Sequence, residues 1–248
     1  MAFMKSKVQM RRFRFFAYFA VTLCLFGLLT RFIYHTSVFR PMLNFHEVDP
    51  GKFYRSAQMT PTELREAIKQ YGIRTVINLR GDHHEDAWYT DEQSLLKSLG
   101  VRMVDVSFST YTVPRPEELK KYVETIINTE RPILVHCRAG ADRTGEASAI
   151  YAMEFMDQSR EQALEQLSLR YLHVSYFQPA QRVLIENYQG LRWVEEEYSP
   201  CSPPFFPYAA GQHECVTRQH FMGRKAQAMK KGWGGTLWQR VNSSTRRD

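Results

Sequence analysis

The 248-residue chain is 44% hydrophobic and carries a formal net charge of +7, so it can bury a sizeable core and is not a disordered polymer. Its four cysteines, Cys24, Cys137, Cys201 and Cys215, are too few for a disulfide scaffold. The length suits one domain of about 150 residues with extensions, and the positive charge favours anionic partners such as phosphate esters, membrane surfaces or nucleic acid without choosing among them.

Residues 1–12 read as a basic N-terminus. Lys5, Lys7, Arg11, Arg12 and Arg14 are met before any acid, and "FFAYFAVTLCLFGLLT" then runs from Phe15 to Thr30 without a charge. That run is short against the roughly 20 residues that cross a bilayer, but Arg14 and Arg31 can reach the two faces and lengthen it. Residues 13–34 are therefore expected to be a transmembrane signal anchor. A cleaved signal peptide is the rival, and "LLTRFIYHTS" offers it no small-x-small cleavage site. The excess of basic residues before the span puts the N-terminus in the cytoplasm and the remainder outside it.

Residues 35–50 read as an irregular linker, and 51–193 as one domain in which strand and helix signals alternate. "KFYRSAQ" is a short strand. Thr60, Pro61 and Glu63 form a capping box that starts a helix. "IRTVINL" is a strand. Thr90 with Gln93 opens a second helix that stops at Gly100. "VRMVDVSF" is a strand with Val104, Val106 and Phe108 on one face. Pro116 starts a third helix. "PILVHC" is wholly apolar up to its histidine, as suits a strand buried on both sides. "SREQALEQLSLRY" and "FQPAQRVLIENYQG" read as two further helices. The order predicts an α/β domain with a central, mostly parallel sheet flanked by helices, and such sheets bind ligands beyond the carboxyl ends of their strands. Residues 194–248 read as a tail, first Pro-rich and irregular, then basic: Arg218 to Asp248 holds eight Lys/Arg and one acid. The tail is either a solvated extension or a contact for an anionic membrane or envelope polymer.

Cys137 falls at one of those carboxyl ends. "HCRAGADRTG" carries Arg138, Ala139, Gly140, Ala141 and Asp142 in a short loop, then Arg143 and Thr144 opening a helix. Successive backbone N–H groups in such a loop can turn inward as an anion nest, and the helix N-terminus adds partial positive charge. Arg143 can hold two phosphoryl oxygens at once. The same field favours a thiolate on Cys137. A thiolate facing a bound tetrahedral anion predicts in-line attack on phosphorus and a phosphocysteine intermediate, with Thr144 hydrogen-bonding the sulfur as it leaves.

This stretch resembles the signature of the cysteine-dependent protein tyrosine and dual-specificity phosphatases, His-Cys-five residues-Arg-Ser/Thr-Gly. "FYRSAQMTPTELREAIKQYGIRTVINLRG" also resembles the N-terminal part of compact bacterial, plant and fungal members. The likeness covers roughly residues 51–190. It implies a three-layer dual-specificity-phosphatase fold, a phosphoric monoester hydrolase without metal or other cofactor, Cys137 as nucleophile, Arg143 as clamp, residues 138–143 as cradle, Thr144 assisting hydrolysis and His136 tuning the thiolate. It further implies an aspartate proton donor some thirty residues before the cysteine. Asp105 has that spacing but lies inside a predicted strand; Asp82, Glu85 and Asp86 of "GDHHED" are alternatives, and without any of them good leaving groups such as phenolates would be preferred. "GDHHED" also has the residue types of a metal site.

Protein phosphotyrosine is the favoured substrate. A phospholipid or inositol phosphate at the membrane is the alternative, and a noncatalytic phosphate-binding module the third reading. No nucleic acid is expected, and the oligomeric state is not legible. Cys201 and Cys215, with thirteen residues between them, are plausible disulfide partners outside the cytoplasm and two free thiols inside it. Together these readings predict a single-pass protein of a bacterial inner membrane with its catalytic domain in the periplasm.

Overall fold

The computed structural model describes residues 16, 18–30, 43–212 and 215. The chain divides into two units, Met1–Leu43 and Asn44–Asp248. In the first, residues 18–30 are helical (α1), and Tyr18, Phe19, Leu23, Leu25, Phe26, Leu28 and Leu29 are exposed. Among the described residues no helix is long and apolar enough to cross a membrane. The flanks of the expected span, the basic N-terminus and residues 216–248 lie outside the described residues.

In the second unit a five-stranded sheet has the order β1-β2-β5-β3-β4. β1 (His46–Asp49) runs antiparallel to β2 (Phe53–Ala57). β2, β5 (Ile133–Cys137), β3 (Thr75–Asn78) and β4 (Arg102–Asp105) are parallel, giving a mixed sheet in an α/β domain. Residues at one register of neighbouring parallel strands face the same side. Phe53, Ile133, Val135 and Ile77 therefore join one core with α4 (Pro116–Asn128), α5 (Asp142–Phe155) and α7 (Pro179–Asn187). Tyr54, Leu134 and Val76 are buried outside that cluster, on the face that carries α2 (Pro61–Tyr71) and α3 (Ala87–Leu99).

Several elements follow their local signals. α2 starts at the expected capping box, with Thr60 and Glu63 bonding each other's backbone N–H. α4 starts at Pro116. Others do not. β1 lies in the segment expected to be linker: its four residues are mostly polar, and only pairing with β2 and the Tyr151 hydroxyl on Asp49 (2.9 Å) make it a strand. α3 begins at Ala87, a turn before Thr90, because Trp88 and Tyr89 have partners there. The helix expected over "SREQALEQLSLRY" is one turn, α6 (Arg160–Ala163), followed by 3-10 turns at Leu164–Gln166 and Leu169–Tyr171. The Gln166 carbonyl is diverted to the Arg55 guanidinium at 3.0 Å, so it cannot serve a longer helix.

The domain also extends past residue 193. α8 (Leu191–Glu196) buries Trp193 and Val194. Tyr198 and Phe205 join the core, the Tyr198 hydroxyl donates to the Pro114 carbonyl at 2.6 Å, and Val113 N–H donates to the Tyr208 carbonyl at 2.9 Å. The Pro-rich stretch expected to be a loose tail is thus packed irregular chain. It is closed by a disulfide between Cys201 and Cys215.

Candidate active site

β5 delivers Cys137 to the carboxyl end of the sheet, where it is buried, and α5 begins five residues later at Asp142. What shapes the intervening loop is the fate of its carbonyls. Arg138 C=O accepts from Gln58 N–H at 3.3 Å. Ala139 C=O accepts from Asn44 Nδ2 at 3.2 Å. Gly140 C=O accepts from Arg55 Nη2 at 2.8 Å, and Ala141 C=O from Gly145 N–H at 2.8 Å. Carbonyls turned outward onto these donors leave the amide edges of the loop facing inward, which is the condition for an anion nest.

Arg55 is fully buried on β2. Besides Gly140 it holds Gln166 through the carbonyl and the side-chain Oε1 (2.7 Å), and its guanidinium stacks 3.9 Å from the Tyr171 ring. No carboxylate pairs with it among the described ion pairs. Burial pulls its pKa down to about 10, while Tyr171 and Cys137 act the other way. Two glycines make this packing possible. A Cβ on Gly140, whose φ is +69°, would meet Ala57 N at 2.6 Å; one on Gly145 would meet the Gln166 carbonyl oxygen at 2.7 Å.

On the inner side, Arg143 Nε and the Thr144 hydroxyl are buried and have no hydrogen-bond partner among the described residues. They are donors left for a bound oxyanion or for the sulfur. Asp142 turns away: its carboxylate lies 2.8 Å from Nδ1 of the fully buried His173 side chain. His136 Nε2 lies 2.8 Å from Glu92 Oε1 on α3. Glu92 also accepts from Gln58 Nε2. Burial would raise the Glu92 pKa, but His136, Gln58 and Arg80 outweigh it and hold the carboxyl below its ordinary value.

Arg80, just past β3, stands at the mouth. Its guanidinium lies 3.4 Å above the Trp88 ring and donates to Gln58 Oε1 at 3.1 Å. Burial, then Arg143 and Arg138, push its pKa down, against Asp86 and Cys137. Arg80 thus feels the positive charge of both Arg143 and Arg138.

Asp105 closes β4 in register with Asn78, which is itself in register with His136. Asp105 therefore faces the α3 side with those two residues, while Cys137, one residue further along β5, faces the other. Both of its oxygens are taken, by Asn78 Nδ2 at 2.8 Å and the Tyr89 hydroxyl at 2.6 Å. It ties β4 to β3 and α3. The "GDHHED" acids are exposed; Asp82 pairs with His84 at 2.8 Å and Asp86 with His83 at 3.1 Å. Among the described residues no three His, Cys, Asp or Glu side chains converge as metal ligands. Glu146, one turn into α5, is fully buried with neither oxygen hydrogen-bonded. Burial and then Asp142 hold its carboxyl well above the usual range against the pull of Arg143.

The sequence places Cys137 at a strand end and Arg143 and Thr144 at a helix start, where β5 and α5 have them, and leaves Asn44, Arg55, Glu92 and His173 unmarked. Only Arg55 left a local trace, a lone arginine at an inward position of an otherwise buried strand.

Residues 42–182 match the family described as PTP-NADK, the DSP-PTPase phosphatase fused to NAD+ kinase. The fold and loop are those of cysteine-based phosphatases, and this chain belongs to that dual-specificity phosphatase family. It is similar to the human dual specificity protein phosphatase CDC14C, 28% identical over 97 residues, 39% of this chain and 20% of that protein. Human CDC14A is 26% identical over 124 residues, 45% of this chain and 20% of that protein. The chain thus spans about a fifth of the length of these relatives. Among solved structures, P. aeruginosa TpbA has a TM-score of 0.50 at 18% identity, covering 62% of this chain and 89% of that one. The catalytic core of the S. cerevisiae PP-IP phosphatase SIW14 has a TM-score of 0.50 at 20% identity, covering 59% and 85%. At these identities the two structures speak for the fold alone.

Proposed function

We propose that the chain hydrolyses phosphomonoesters through a phosphocysteine intermediate. Cys137 Sγ attacks phosphorus as the bond to the leaving oxygen breaks. The amides of residues 138–143 and the Arg143 guanidinium carry the charge on the non-bridging oxygens. Thr144 then donates to Sγ while water displaces it, releasing phosphate. The observation that carries this reading is the outward tethering of the loop carbonyls at residues 138–141, which aims the amides over the sulfur.

The substrate we favour is protein phosphotyrosine. Asp105 has both oxygens engaged on the α3 side. A pocket without a committed proton donor selects leaving groups that depart as stable anions, and a phenolate is such a group. The CDC14 relatives, named as dual specificity protein phosphatases, support a protein substrate. A second reading, a phospholipid or inositol phosphate, draws support from the positive charge that Arg138 and Arg143 exert on Arg80, which suits a substrate with a second anionic group. Phosphate release from phosphotyrosine peptides and from phosphoinositides in matched micelles separates the two, with Cys137→Ser as control. Peptide preference upholds the first reading and lipid preference the second, while turnover by Cys137→Ser at the unmutated rate would sink the mechanism.

We also infer that residues 13–34 anchor the domain to a bilayer with residues 35–248 outside the cytoplasm. The exposed apolar side chains of α1 and the Cys201–Cys215 disulfide support this. A membrane-impermeant thiol reagent should label reduced Cys201 and Cys215 in intact cells; absence of label would mean a cytoplasmic domain.

A further inference from the structure

Outside α1, nine large apolar side chains of the described domain stay exposed, and five of them lie between Leu169 and Phe177. Leu169 is 74% exposed, Leu172 64%, Tyr176 88% and Phe177 70%. Such values describe side chains that project from the surface rather than line a groove. The stretch is fastened to the candidate site at two points. His173 within it is bonded to Asp142 of the phosphate loop at 2.8 Å. Gln181, just beyond it, donates to the Ser109 and Thr110 carbonyls at 3.1 and 2.9 Å, which holds the loop of Tyr111, itself 75% exposed, to the same element.

Two further properties bear on what covers this rim. Four of its backbone donors are used locally: Tyr171 and His173 N–H donate to Ser168 C=O, Leu172 N–H to Leu169 C=O, and Phe177 N–H to Val174 C=O, which Gln178 N–H also reaches. Such local bonds lower the cost of bringing the segment into a medium poor in water. Residues 166–185 contain no acid and include Arg170, while Arg182 is paired with Glu186 at 2.7 Å. Leucine, tyrosine and phenylalanine beside arginine, without acid, form the makeup of interfacial membrane elements, the cations meeting anionic headgroups and the aromatic rings sitting just beneath. A protein partner would more usually find a pocket for its own anchoring side chains, and protruding side chains offer none.

We propose that residues 169–177, with Tyr111 beside them, dip into an anionic lipid surface and seat the mouth of the phosphate loop at the headgroups. The rim is rigid with the loop through His173 and Asp142, so docking orients the pocket as well as holding it near.

The test uses the full chain with Phe177→Trp, added to vesicles of phosphatidylcholine and phosphatidylglycerol whose acyl chains carry bromine near the headgroup. Ile127→Trp, at the opposite end of β5 on α4, is the control. The emission added at position 177 should shift to shorter wavelength and lose most of its intensity, and that added at 127 should do neither. Unquenched emission at 177, as a protein-covered or bare rim would give, overturns the proposal, as does equal quenching at both positions. Equal quenching at 177 on phosphatidylcholine alone overturns the anionic assignment. The readout is the position of a side chain rather than turnover, so the phosphatase reading stands or falls separately.

Discussion

The two sides of the phosphate loop are built on opposite terms. Behind it, fully buried Arg55 and mostly buried Asn44 hold the loop carbonyls, and two glycines admit backbone contacts too close for any side chain. In front, Arg80 and Arg138 are partly or fully open, the "GDHHED" loop is exposed, and apolar side chains project from the 169–177 rim. The back decides whether an oxyanion can bind at all, because misdirected amides cannot be corrected by a substrate. On the proposed function, the front meets whatever the phosphoryl group is attached to. Loop rigidity therefore belongs to the part remote from solvent, and selectivity to the part in contact with it.

Breaking the inner face of the loop should have the largest effect. Arg143→Lys keeps the charge but loses the planar fork, and should lower kcat/KM by about 100-fold or more. A loss of only a few-fold in phosphotyrosine-peptide kinetics would show that the guanidinium is not the clamp.

Breaking the back comes next. Arg55→Met leaves the Gly140 and Gln166 carbonyls unpaired and should cost about 2–4 kcal/mol in denaturant unfolding. Asn44→Ala frees only the Ala139 and Tyr171 carbonyls. It should stay folded yet bind inorganic phosphate more weakly, and unaltered phosphate affinity in a folded Asn44→Ala protein would deny the tethers their role.

Glu146 sharpens the contrast, since it is a buried acid with no tether. Its carboxyl is raised in the folded protein, chiefly by burial. Below the ordinary carboxylate range, about pH 4, both folded and unfolded chains carry the proton. As pH rises above it, only the unfolded chain can ionise easily, so the group's contribution to stability is lost progressively upward. The Tm of Glu146→Gln should therefore gain on that of the unmutated protein as pH climbs from about 4 towards neutrality. A constant difference would mean that Glu146 ionises in place.

The smallest catalytic effect is expected at Asp105. Asp105→Asn should leave the rate–pH profile of an aryl phosphate unchanged, while weakening the ties to Asn78 and Tyr89 and lowering Tm. A basic limb present in the unmutated protein and lost in Asp105→Asn would restore Asp105 as the proton donor and remove the argument for a phenolate leaving group.

Some of this molecule was legible because its cause is local. Cysteine, a five-residue loop, arginine and threonine between an apolar strand and a helix specify the phosphate loop from adjacent residues, and the Thr60–Glu63 capping box starts α2 within one turn. The parallel sheet followed from the alternation of strand and helix signals. Tertiary structure alone decided the remainder, since the deciding partners are far apart in the chain. Arg55 meets Gly140 across 85 positions, and Tyr198 reaches Pro114 across 84, which turns a Pro-rich tail into core. The role of Asp105 is set in the same way. Spacing along the chain put it at the right distance from Cys137, but strand register and two hydrogen bonds determine the side of the sheet on which its carboxylate lies. Sequence separation measures chain length, whereas a proton donor or an anion clamp is defined by direction, and direction arises only when the strands pair.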